Sequence, residues 1–207
     1  PSSGMRLRGR PTLQALAVLF AVFLFQQAAD LVWALEYFVF VLDASVTARP
    51  WVLVTSVYAH SGLAHFLANA IALAFVGPLV ARRTTTVRYH AFFLTTGALS
   101  GLAEVYLGGV FGPPHAVWGA SGAVLAFLGY LLAGNVVSTR VLDRVKLSAR
   151  AQTVLLGVVV VVVTAVASGP GSAVIGHATG LACGLVAGRL GVLDVSPSPA
   201  SGPTYRL

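Results

Sequence analysis

Charge is what this sequence has least of. Only 9% of its 207 residues are charged, 57% are hydrophobic and the mean hydropathy is +0.86, whereas a soluble domain carries about a quarter charged residues. A water-facing globular fold is thereby excluded, and an integral membrane protein is expected. Strict apolar/polar alternation is also missing, which excludes a membrane β-barrel. Cysteine is reduced to Cys183, so no intrachain disulfide can form and the thiol reads as a small apolar filler. No His-Glu-x-x-His pattern occurs, and nothing in the sequence asks for a metal or cofactor. The first apolar run is too long for a signal-peptide core and lacks an Ala-x-Ala exit, so it is expected to be retained. Met5, the single methionine, is the expected native start. No internal repeat or second domain is visible.

What is present is a series of long apolar runs. A ~30 Å hydrocarbon layer takes about 20 helical residues, and runs of that order lie at about Leu13–Leu35, Leu63–Ala81, Tyr89–Leu107, Ala120–Val137, Ala151–Ala167 and Ala173–Leu190. These predict six transmembrane helices spanning 13–190, after a cytoplasmic segment 1–12 and before a Ser- and Pro-rich, disordered tail 191–207. The net charge of +7 could point to nucleic acid, but the cations sit by topology. Arg6, Arg8, Arg10, Arg82, Arg83, Arg88, Arg140, Arg144, Lys146, Arg150, Arg189 and Arg206 fall in one set of loops, and only Arg49 falls in the other. By the positive-inside rule both termini are cytoplasmic, and no nucleic-acid partner is implied. Twelve arginines to one lysine hint at a GC-rich genome.

The segment from Tyr37 to Tyr58 is apolar yet broken by Asp43, Ser45 and Arg49-Pro50, and reads as a half-immersed outer loop in two short pieces. Gly108 to His115 and Ser168 to Ser172 are rich in turn formers and read as outer turns. Asp30, near the outer end of the first run, reads as structural, although an intramembrane acid is a functional candidate by default.

Three short polar patterns interrupt the apolar background. His60-Ser61-Gly62-Leu63-Ala64-His65-Phe66-Leu67-Ala68-Asn69 opens the second run and puts His65 and Asn69 on one helical face, with His60 at or before the helix start. Gly119-Ala120-Ser121-Gly122 opens the fourth, and the flanking glycines leave the hydroxyl unshielded. Gly176-His177-Ala178-Thr179-Gly180-Leu181-Ala182-Cys183-Gly184 lies in the sixth, and Gly180 and Gly184 share the His177 face at a spacing that lets another helix approach. Taken singly, each pattern is also what helix-packing glue would use. Topology adds that the second, fourth and sixth runs enter from the same side. His65, Asn69, Ser121 and His177 then share one layer, into which helix N-termini aim amide groups suited to a developing oxyanion.

In such a layer Ser121 can act as nucleophile and His177 as its base, with His65, Asn69 and the Ser121 amide binding the oxyanion. Asp30 and Glu104 are the acids in the outer half of the runs, and no motif ties either to His177. A Ser–His dyad is therefore expected.

With these motifs the sequence resembles the rhomboid family of intramembrane serine proteases, over Trp51 to Gly184. The resemblance implies an all-α integral membrane protein with a rhomboid-like bundle of six helices. It also implies Ser121 as nucleophile, His177 as base, His65 and Asn69 as oxyanion binders, and a chiefly structural His60; Gly119, Gly122, Gly180 and Gly184 complete the motifs. The implied reaction is cleavage of transmembrane protein substrates in the bilayer, in a prokaryotic cell membrane with the site open to the extracytoplasmic side. Substrate is expected to arrive sideways from lipid past the valine-rich fifth run, a run that reads equally as ordinary lipid-facing surface. Two positions depart from the family pattern: Leu125 replaces an aromatic that stacks on the histidine, and Trp51 is followed by Val52 instead of arginine. The alternative is an inactive rhomboid-like protein that binds or escorts transmembrane helices. A small channel or transporter would need polar groups in the inner halves of the runs, which show almost none.

Overall fold

The computed structural model describes residues 10–29, 33–110, 116–133, 149–167 and 172–195. They form helices α1 (Arg10–Ala29), α2 (Trp33–Phe40), α3 (Val52–Tyr58), α4 (Leu63–Ala81), α5 (Thr86–Leu107), α6 (Ser121–Ala133), α7 (Ala149–Ala167) and α8 (Val174–Leu190), with a 3-10 turn at Gly108–Val110. Residues 1–9, 30–32 with Asp30, 111–115 and 168–171 of the expected outer turns, 134–148 with the end of the fourth run, and 196–207 of the expected tail lie outside the described residues.

The first apolar run differs from expectation. α1 begins at Arg10, with Pro11 in its first turn, where the missing N–H has no helical partner to lose. A separate helix α2 holds the expected end of the run. A polar side chain ties the two together, as Gln26 Nε2 donates to Glu36 Oε1 at 2.9 Å, and its Oε1 accepts the His60 backbone N–H at 2.8 Å, which joins α1 to the approach to α4. The expected loop 37–58 does fall into two short pieces, α2 and α3, joined by turns.

Among the described residues, α1 and α4 are long and apolar enough by length and hydropathy alone to cross a membrane, while α6, α8 and the Gly157–Val166 stretch of α7 are apolar but shorter. The surface nevertheless suits hydrocarbon. Phe75 is 75% exposed and Val166 83%, amid many other outward Leu, Val and Phe side chains, an apolar surface that a water-soluble monomer rarely shows. The buried stripe of α1, Ala15, Leu19 and Phe23, packs on α4, where Phe23 stacks on Phe66 with centroids 4.6 Å apart. α6 is the hub. Gly122 to Phe127, Gly129 and Tyr130 are all buried, so the helix that starts at Ser121 is enclosed by α4, α5 and α8.

At the far end from Ser121, Gly191 takes a left-handed conformation (φ 62°) and closes α8. The chain stays ordered through 195, in contrast to the expected disorder from 191. Tyr130 donates to Asp194 Oδ1 at 2.6 Å, the Val195 N–H donates to the Arg83 carbonyl at 3.0 Å, and Leu193 is buried.

Between α2 and α3, Arg49 organises the connection from within. Its guanidinium donates to the Tyr37 carbonyl at 2.7 Å and to Asp43 Oδ1 at 2.8 Å, and lies 4.8 Å from the Tyr37 ring centroid. Burial alone would raise the Asp43 pKa, but hydrogen bonds from Ser45, Tyr37 and Arg49 outweigh it and hold the carboxyl at about 2. A depressed carboxylate stabilises the fold above its unfolded value, and that contribution disappears as protons bind. Loop protection should therefore hold at neutral pH and fall between pH 3.8 and about 2. Amide exchange of residues 41–51 across that range is the check, and the loss should be absent from Asp43→Asn.

Candidate active site

The stretch 116–120 is shaped by its neighbours before α6 begins. Val117 and Leu42 exchange backbone hydrogen bonds at 2.8 and 3.0 Å, and the Gly119 N–H donates to the Ser56 carbonyl at 2.8 Å. The α2–α3 connection thus clips the approach to the serine in place. Gly119 has φ +141°, and a Cβ there would lie 2.8 Å from His65 Cε1. Both the backbone turn and the imidazole face require glycine. Ser121 follows as the first residue of α6, so its amide is among those an α-helix leaves without an intrahelical partner.

His177 reaches the serine from α8. Its Nε2 is 2.9 Å from Ser121 Oγ, and the imidazole is buried. Backbone contact fixes the pairing of the two helices: a Cβ on Gly180 would sit 2.2 Å from the Gly122 carbonyl oxygen, and one on Gly184 2.0 Å from that of Ala126. Leu125 lies where an aromatic was expected and packs with Leu181 and Leu185 of α8. Its apolar contact falls on the helix that carries His177, one turn beyond the imidazole.

From α4, His65 and Asn69 complete the wall of a cleft of about 460 Å³ that Ser121 and His177 also line. The Ser61 N–H and hydroxyl meet His65 Nδ1 at 3.4 and 3.0 Å. An imidazole that accepts at Nδ1 carries its proton on Nε2, the edge that lies against Gly119. Asn69 Nδ2 donates one hydrogen to the His65 carbonyl at 3.0 Å, and an amide nitrogen keeps a second for the cleft. His60 stays out of the cleft. It is 1% exposed, with its ring edge-on to His65 and Phe66.

Two residues were given no role by the sequence. Ser61 sits four before His65, a spacing that could have shown it. Glu104, which no motif tied to His177, accepts the N–H of the adjacent Gly176 at 2.8 Å through Oε2. The default suspicion owed to any acid in an apolar helix was the available signal. At the second departure, Val52 is fully buried beside Leu42, Val46 and Val105, while Arg49, three residues earlier, supplies the cation that binds the connection together.

Ser61→Ala removes the hydroxyl at 3.0 Å from His65 Nδ1 and leaves only the longer backbone N–H contact at 3.4 Å, so the His65 ring should spend part of its time as the other tautomer. The 15N chemical shifts of the His65 imidazole in the variant and the wild type are the check.

The fold and the cleft together describe an α-helical membrane protein whose polar groups gather at one end of a tight helix bundle. A family model described as the Rhomboid domain matches residues 47–193, more than half of the chain. The chain belongs to the rhomboid family, whose members are intramembrane proteases or inactive relatives of them. Among curated proteins, none matches.

Proposed function

We propose that the chain is an intramembrane serine endopeptidase working through a Ser121–His177 dyad. One observation carries the reading: the hydroxyl and the imidazole nitrogen lie 2.9 Å apart at the wall of an open cleft, within the reach that general-base activation needs. Oγ attacks the scissile carbonyl carbon while its proton passes to His177 Nε2. The oxyanion is met by the Ser121 N–H, His65 Nε2–H and Asn69. Collapse of the tetrahedral adduct breaks the C–N bond, and His177 returns the proton to the departing amine. Water then attacks the acyl ester, with the same imidazole as base. A cavity of about 30 Å³ beside Ser121, lined by Ser56, Ser100 and Gly119, has room and polar partners for such a water.

In this reading α1, α4, α5, α6, α7 and α8 are the six spans. The arginine pattern supports cytoplasmic termini, with the cleft opening to the extracytoplasmic side of a prokaryotic membrane. The substrate is another protein's transmembrane helix, locally unwound because a helical carbonyl is shielded by its own hydrogen bond. Small and helix-breaking residues near the cut favour that opening. Access is from lipid beside α7, which packs on α8 through Val160 and Val163 and leaves Val154, Val158 and Val161 exposed.

The test is reconstitution with single-span reporters bearing Gly/Ala and a helix breaker near the outer end. Wild type should cut, and Ser121→Ala and His177→Ala should not. Wild type cutting no better than the variants across several reporters overturns the proposal and leaves a helix-binding, inactive relative as the reading.

A further inference from the structure

Helix α8 begins in a way that its own sequence does not support. Its N-cap is Ala173, which offers no side-chain acceptor, so the first amides need partners from elsewhere. Glu104, on α5 and 2% exposed, supplies one: its Oε2 accepts the N–H of Gly176, the third residue of the helix. The next residue is His177. Two consequences follow for a base in that position. The hydrogen bond fixes the first turn of α8 against α5, and with it the Cα from which the imidazole reaches Ser121. His177 must also carry a positive charge in the transition state while sitting in the first turns of a helix, where the macrodipole is positive and opposes a cation. A carboxylate bound to that same turn offsets the opposition.

We propose that Glu104 is a positioning residue for the dyad, acting through the N-terminus of α8 to hold His177 in register and to balance the charge that it gains. No acid need touch the imidazole for this. The inference rests on the protease reading, and Glu104→Gln isolates it. Glutamine keeps nearly the same shape and an oxygen for the Gly176 N–H but removes the charge, Glu104→Asp keeps a charge, and Glu104→Ala removes both anchor and charge.

The purified proteins are compared by thermal unfolding in detergent, by kcat and KM on the reporter, and by the rate at which a fluorophosphonate acylates Ser121, which needs no reporter. Glu104→Gln should melt close to wild type and keep its KM, while kcat and the acylation rate drop about tenfold. Glu104→Asp should recover part of that rate. Glu104→Ala should lose rate and thermal stability together. Wild-type acylation and turnover in Glu104→Gln overturn the inference, as does a rate loss matched by the same fall in melting temperature as Glu104→Ala. A wild-type protein that neither cuts nor labels overturns the protease reading, and this inference with it.

Discussion

Alanine at Ser121, at His177 and at both together should lower kcat for reporter cleavage by one common factor, about 10⁴ or more. The equality is the informative part. Ser121 Oγ and His177 Nε2 are hydrogen-bonded at 2.9 Å, and under the proposed dyad each is useless without the other: a hydroxyl with no acceptor stays a poor nucleophile, and an imidazole with no hydroxyl has no proton to take. Groups that act as one unit give losses that do not add. Binding should survive, because the cleft walls from α4 and α8 remain, so KM should change little. Single variants that differ by more than tenfold, or a double variant that loses the product of the two, would mean the residues act separately. Circular dichroism of each variant checks that the helices persist.

That His65, Asn69, Ser121 and His177 line one cleft follows in the sequence from reading alternate apolar runs as entering from the same side. Polar side chains are also so scarce here that those at one depth stand out. The helix pairing was legible too, since Gly180 and Gly184 repeat at the interval of one helical face, and the structure seats them on the Gly122 and Ala126 carbonyls. What escaped was carried by the backbone. Leu42 pairs with Val117, Ser56 accepts from Gly119 and Glu104 accepts from Gly176, and in each a peptide group is a partner, so no residue type marks it. Arg49 stands out in the sequence, but its partners do not, because two of its acceptors are the carbonyls of Tyr37 and Phe38 on a helix that the apolar pattern partly merges with the first span. The polar tie of Gln26 to Glu36 is what the hydropathy of that run averages away.

Among the described glycines, Gly184 is where an added methyl group should do most damage. The new Cβ would meet the Ala126 carbonyl oxygen at 2.0 Å, its carbon at 2.7 Å and its Cα at 2.8 Å, all backbone atoms that no rotamer change can move. α8 must therefore back away from α6. Helices in lipid have no hydrophobic drive to hold them together and rely on close packing, so the expected cost is about 3 kcal/mol or more. The site feels the same shift. His177 is seven residues away on α8, about 10 Å along the axis, and moving it from Ser121 by roughly 1 Å costs about 10²-fold in rate. Melting temperature and kcat should then fall together, in contrast to Glu104→Gln, where kcat alone should fall. Gly157→Ala on α7 is the matched control, because a Cβ there meets nothing within 4 Å and alanine is the better helix former. If Gly184→Ala unfolds and cleaves like Gly157→Ala, backbone contact between α6 and α8 is not what holds the serine and the histidine in register.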